Sequence, residues 1–282
     1  MQAINSSENL GSLENGNTFI GTPPVMVNST INFYGKNNIL FCDKNVRLVN
    51  TTINFRADNS IVFLCENSHE YKINLSIHNN SALYFGKNAY FNGVLNISLS
   101  EQKHMLVGDD VLFSFGIWAR TADPHLVYDT QTKYRINPSK SVYIGDHVWI
   151  GQGVMLLKGT QIHSGSIIGA MSVVAGKKIM LNSSWAGNPV KKIKENVFWD
   201  HPCVHTWTDK ETNSHNQMTS TKYIFEYDPQ EYIPFEEIDK ELDEADTAQK
   251  KFEFLTYINE CNKKNRFAYK NPEKGFFKRL KK

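Results

Sequence analysis

Of the nine histidines in the 282-residue chain, His125 lies in the surroundings best suited to chemistry. It sits in ARTADPHLVYD, residues 119 to 129. A neutral imidazole accepts a proton near neutral pH, so histidine is the common general base for activating an alcohol. Asp123 precedes it and Asp129 follows it closely. A carboxylate at either position would fix the tautomer and direction of the ring; a backbone carbonyl would serve as well, and Ala-Asp-Pro is also a natural turn opener. A second grouping, DHPCVHTW, sets His201, Cys203 and His205 close together, with His215 beyond. Its spacing matches no strong zinc pattern, so no metal is expected.

These residues depend on the element that carries them. Residues 144 to 179 divide into sixes: IGDHVW, IGQGVM, LLKGTQ, IHSGSI, IGAMSV, VAGKKI. The first position reads Ile144, Ile150, Leu156, Ile162, Ile168, Val174, all branched aliphatics. A helical period of 3.6 cannot hold one face on every sixth residue, whereas short strands with a bend every six residues can. Three such strands make one triangular coil of about 18 residues, and stacked coils align the aliphatics in a continuous column. Upstream, FYGKNNILF (33–41), FRADNSIVF (55–63) and LYFGKNAYF (83–91) repeat more loosely. They read as earlier coils with small insertions at their corners.

The expected fold is an all-β solenoid, a parallel β-helix over residues 26–194, interrupted by a protruding loop at 119–143. Residues 1–25, polar and rich in Asn, Ser and Gly, are expected as a flexible lead-in. Residues 195–282 are expected as a C-terminal extension. Within it, Ala248, Phe252, Leu255 and Ile258 follow helical spacing and predict one or two helices. These would pack on the β-helix, cap its open end or meet a neighbouring subunit.

Bulk numbers narrow the function. Hydrophobic residues are 40%, charged residues 21%, and net charge is +2, which argues against nucleic acid as a partner. No apolar run is long enough to span a membrane. The first residues lack the basic and apolar regions of a secretory signal, so a cytoplasmic location is expected. Cys42, Cys65, Cys203 and Cys261 form no CxxC and are expected as free thiols. The tail EKGFFKRLKK interleaves Lys274, Lys278, Arg279, Lys281 and Lys282 with Phe276, Phe277 and Leu280. It reads either as a solvated end or as a weak contact with the inner face of a membrane.

SVYIGDHVWIGQGVMLLKGTQIHSGSIIGAMSVVAG followed by WAGNPVKKIK resembles the closing coils of the hexapeptide-repeat acetyltransferases. RTADPH followed by RINPSKSVYIGDHVWIG is most similar to the bacterial capsule and lipooligosaccharide sialate O-acetyltransferases of that superfamily. The resemblance implies a left-handed β-helix, a homotrimer and acetyl-coenzyme A as cosubstrate, with no metal. It implies His125 as catalytic base and Trp149 as a wall of the active site. Trp118, Arg120 and Tyr128 become candidates for substrate contact, and Asp123 for orienting the base. Trp149, Gly151, Gly169 and Ala170 would line the pantetheine arm, and Lys177, Lys178, Lys191 and Lys194 would meet the phosphates. The turn AGKKIMLNSSWAGNP departs from the family's usual pattern, which leaves the phosphate-binding lysine open. The implied activity is acetyl transfer to a hydroxyl of a surface-glycan sugar, with sialic acid first. N-acetylation of an amino sugar or nucleotide sugar, and a non-catalytic β-helix scaffold, are the alternatives.

Overall fold

The computed structural model describes residues 1–227, 232–261 and 267; the basic tail lies outside them. The chain forms a parallel β-solenoid of about seven turns. Its three faces are built from strands that recur once per coil. The first face runs from Thr30–Phe33 through Thr52–Phe55, Ile73–Ile77, Leu95–Leu99, Trp118–Arg120 and Met155–Leu156 to Val173–Val174. The second runs from Thr18–Gly21 to Lys178–Ile179, and the third from Tyr90–Phe91 through Trp149–Ile150 to Ser183–Ala186. Early coils advance by 22 residues, as Asn32 to Asn54 shows, and late coils by 18, as Asp146 to Ser164 shows. Between them one coil advances by 37, from Asp109 to Asp146. The excess is the predicted loop, which leaves after Arg120 on the first face and returns at Val142 on the second.

Parallel register stacks like on like. Ile31, Ile53, Leu75, Ile97, Ala119, Leu156 and Val174 occupy one internal row, all buried. Phe33 lies on Phe55, with rings 4.7 Å apart and 4° from parallel. Outside, Asn32 donates to Asn54 at 3.0 Å and Asn74 to Asn96 at 3.1 Å. Such side-chain ladders satisfy polar groups without leaving the repeat. Corners turn on left-handed residues. Asparagine fills many of them, because it tolerates positive φ better than most residues.

One expectation about the ends is corrected. The first residues are not a loose lead-in. Gln2–Ile4 pairs antiparallel with the first-face strand of the opening coil, a short 3-10 helix follows at Ser7–Ser12, and Ile4 and Leu10 are buried at the open end. They supply the cap that a solenoid end requires. The C-terminal helices pack on the β-helix, one of the placements expected for them, along a face and not across its end. Of the three described, α1 spans Asp209–Ser214, α2 spans Phe235–Glu244 and α3 spans Ala248–Glu260.

Helices α2 and α3 lie on the outer side of the second face. There Ile61, Phe63, Tyr84, Leu106 and Tyr143 form an apolar strip that buries Phe235, Ile238, Leu242, Leu255 and Ile258. Polar anchors fix the docking. Tyr143 Oη donates to Asp239 at 2.5 Å, His104 Nε2 lies 3.2 Å from Asp243, and the buried Lys251 donates to Asn80 Oδ1 at 2.6 Å. Burial lowers the Lys251 ammonium to about 8. No helix among the described residues is long and apolar enough to cross a membrane.

The continuous column makes each row position costly to empty. Leu75→Ala removes a buried side chain flanked by Ile53 and Ile97. It is expected to lower the unfolding free energy by about 2–5 kcal/mol, measured by denaturant unfolding.

Candidate active site

The 119–143 loop is held open by its own polar side chains. Asn137 is its hub: Oδ1 accepts from the Val127 amide at 2.9 Å, and Nδ2 donates to the His125 carbonyl at 2.8 Å and to Asp123 at 3.1 Å. Arg135 reaches back to the preceding coil and grips Glu101 with both terminal nitrogens, at 2.6 and 2.8 Å. Ser139 donates to the same carboxylate. The Arg135 and Ser139 hydrogen bonds hold the Glu101 carboxyl down at about 2. At the tip Asp129 accepts from the amides of Gln131 and Thr132, closing a tight turn.

His125 is exposed on this frame. Its imidazole has no hydrogen-bond partner among the described residues, although its backbone is fixed through Asn137. Neither candidate carboxylate orients the ring within the chain. Asp123 is taken by Lys158 Nζ at 2.5 Å and by Asn137, and these hold its carboxyl below the ordinary range. Asp129 serves the turn. The expectation that Asp123 directs His125 is therefore corrected: Lys158, which comes from the next coil, competes for it and wins.

Beneath the loop lies a groove of about 620 Å³ on the first face. Its floor is the polar ladder Asn74, Asn96, Ser76 and Ser98, and its walls include Trp118, Arg120 and Asp123. The Arg120 guanidinium stacks 5.2 Å from the Trp118 ring, and its buried Nε has no hydrogen-bond partner among the described residues. The structure thus brings Trp118, Arg120 and Asp123 together. Tyr128, half-exposed at 53%, and His125 are not among the lining residues.

The other candidates stand elsewhere. Trp149 projects from the third face and donates to Ser114 Oγ at 3.3 Å. Gly151 and Gly169 occupy equivalent places one coil apart, leading from the third face into the corner before the first. A Cβ on Gly151 would come within 2.7 Å of the Ala170 nitrogen, so only glycine allows the coils to close there. Ala170 is exposed at that corner. The four lysines do not form one patch. Lys177 and Lys178 belong to the second-face end, where Lys178 pairs with Glu236 of α2 at 2.6 Å. Lys191 and Lys194 lie on the closing strand Lys191–Glu195, which pairs antiparallel with the third face. Lys178 is therefore already committed, and the exposed pair Lys191 and Lys194 is better placed near Gly169.

Comparisons with known proteins agree with this architecture. Residues 141–176 match the family described as bacterial transferase hexapeptide (six repeats). The polysialic acid O-acetyltransferase of Neisseria meningitidis is 28% identical over 193 residues, covering 68% of this chain and 79% of that protein. The crystal structure of the polySia-specific acetyltransferase NeuO superposes with a TM-score of 0.61 at 28% identity, covering 71% of this chain and 93% of its own. The polysialic acid O-acetyltransferase OatWY gives 0.55 at 26% identity, covering 71% and 98%. The chain is similar to hexapeptide-repeat acetyltransferases in sequence and in fold. Its solenoid is the left-handed β-helix that the resemblance implies.

Several residues that build the candidate site carry no sequence signal. Glu101, Asn137 and Lys158 are ordinary in type and act only through coil stacking. Trp199, from the extension, comes within 6.1 Å of the Trp149 ring. His201 neighbours Cys203 and His205 in sequence, but the structure brings it instead to Asp110 and His147.

The Glu101–Arg135 brace yields a prediction. The folded pKa of Glu101 is depressed, so the brace is complete above the ordinary carboxylate value of 4.5 and is lost as pH falls toward about 2. Near neutral pH, Arg135→Ala is expected to raise amide exchange across residues 122–138, read by hydrogen-exchange mass spectrometry. An exposed ion pair is worth about 0–1 kcal/mol, so global stability is expected to change little.

Proposed function

We propose that the protein transfers acetyl from acetyl-coenzyme A to a hydroxyl of a cell-surface glycan, with sialic acid as the acceptor sugar and His125 as general base. The observation that carries this reading is the exposed, unpartnered imidazole on a braced loop. A base must keep one ring nitrogen free for the acceptor hydroxyl until that proton moves. Deprotonation lets the sugar oxygen attack the thioester carbonyl; the oxyanion that develops needs a donor, a backbone amide or the Trp149 indole N–H. Collapse expels the coenzyme A thiolate, which takes up the proton held on His125. The relatives named above act on polysialic acid, which supports a sialylated acceptor, and the polar groove with its stacked Arg120 and Trp118 suits a sugar carrying a carboxylate.

The same geometry supports a site shared between subunits. The loop leaves the corner between the first and second faces, whereas Gly169 and Ala170 mark the corner between the third and first. In this reading, the base of one chain does not lie over that chain's own coenzyme wall. A trimer would set His125 of one subunit against the Gly169–Ala170 corner of the next, with Lys191 and Lys194 toward the phosphates. The site is cytoplasmic in this reading, where acetyl-coenzyme A is available.

His125→Ala is expected to leave the melting temperature unchanged and lower kcat by about two to four decades, read as thiol release from acetyl-coenzyme A with a sialylated oligosaccharide. Retention of more than about a tenth of wild-type kcat would remove His125 from the base role. Replacing the acceptor with a panel of amino sugars separates N- from O-transfer, and no release with any sugar would leave a scaffold. The mass in solution at micromolar concentration is expected to be that of three copies. A fully active monomer would rule out the shared site.

A further inference from the structure

The corner between the second and third faces carries side chains that acetyl transfer does not use. The later coils turn this corner on a residue of positive φ: Asn88 (57°), Asp110 (59°), His147 (51°), Gly165 (72°) and Asn182 (48°). Stacking therefore sets the side chains of Asp110 and His147 one above the other. Asparagine or glycine meets the backbone demand at such a corner at little cost, so the choice of histidine calls for a reason in its ring.

That ring is fixed in every direction. His147 is 2% exposed. The Trp199 ring stacks on it at 4.1 Å and 5°, and Tyr223 at 3.8 Å and 4°. Its Nε2 lies 3.1 Å from the Trp199 carbonyl oxygen. A carbonyl only accepts, so Nε2 carries the proton. Its Nδ1 then faces the Asp110 carboxylate, 2.8 Å away. In the neutral ring, the Nδ1 lone pair is aimed at an anion; a second proton or a cation resolves that conflict. A third donor atom converges there: His201 Nε2 is 3.1 Å from Asp110. The three ligand atoms lie within 4.8 Å of one another.

We propose that Asp110, His147 and His201 bind a divalent transition-metal ion, zinc first, with His147 ligating through Nδ1 and His201 through Nε2. Two imidazoles and one carboxylate are a donor set that zinc favours over magnesium or calcium. An N–H given to a backbone carbonyl by the other ring nitrogen is the usual support for a metal-bound histidine, and His147 has it. The ion would pin the stretch from Trp199 to Tyr223 onto the solenoid beside Trp149. Its role is to hold that wall, and it takes no part in acetyl transfer.

The test uses untagged full-length protein purified from zinc-supplemented medium. Close to one equivalent of zinc per chain is expected by mass spectrometry after gel filtration. Cobalt loaded in its place is expected to show visible d–d bands. EDTA is expected to lower the melting temperature, with recovery on adding zinc but not magnesium. His201→Ala, at an exposed position, and Asp110→Asn, each checked for folding by circular dichroism, are expected to lose at least about 100-fold in zinc affinity and the response to EDTA. Wild-type protein with less than about a tenth of an equivalent of zinc, no cobalt bands and no EDTA response would overturn the proposal and leave a hydrogen-bonded latch. Equal zinc in wild type and both variants would overturn it too, by placing the metal elsewhere.

Discussion

Everything in this molecule answers to the parallel register of its coils. Each residue sits over its counterpart in the coil below, so a single row position is repeated along the length of the solenoid. Buried rows become columns, such as Ile53, Leu75 and Ile97. Exposed polar rows become ladders, such as Asn74 over Asn96. The constraint also limits variation. Residues inserted within a strand would shift its register against both neighbours, so a long insertion must leave at a corner. Early coils of 22 residues carry strands of four or five residues and late coils of 18 carry strands of two, yet both keep the same three faces. The catalytic-loop candidate is the extreme case, an insertion at one corner that leaves the strands on either side paired.

Much of this was legible in the sequence, and the boundary of legibility is physical. Aliphatics at every sixth position from Ile144 to Val174 announce the solenoid because row and column are the same fact in a stacked fold. The break in that beat marks the loop. What escaped is what depends on which coil lies next. Asp123 stands beside His125 in sequence, yet it pairs with Lys158 a coil away. Arg135 is steadied by Glu101 in the coil before. The N-terminal residues look like a polar leader, and their two useful apolar side chains, Ile4 and Leu10, gain meaning only from the open end they cover. The helical pattern from Ala248 onward is plain in sequence, but its docking on the second face needs the outward strip of Phe63, Tyr84 and Tyr143, which the inward beat of six does not report.

The three faces are unequal in what they offer. The second is covered by α2 and α3, so its outward side chains are spent on packing. The first carries the groove and its polar floor. The third carries Trp149 and, beside it, the extension around Trp199. Covering one face leaves the other two, and the corner between them, as the surface on which chemistry can be assembled.

Two histidines show how the same side chain is placed in opposite ways. His147 has a contact for each ring nitrogen and an aromatic ring on each face; nothing in its environment leaves room for a substrate proton. His125 has its backbone held by Asn137 and its ring left to solvent. A base needs the second condition, because a nitrogen already engaged must give up one hydrogen bond before it can form another. Placement without engagement is hard to obtain on a stacked solenoid, where any side chain in a row meets the one above and the one below. Throwing His125 out on a loop removes it from the rows, and the bracing through Asn137 and Arg135 restores the position that leaving them would have cost.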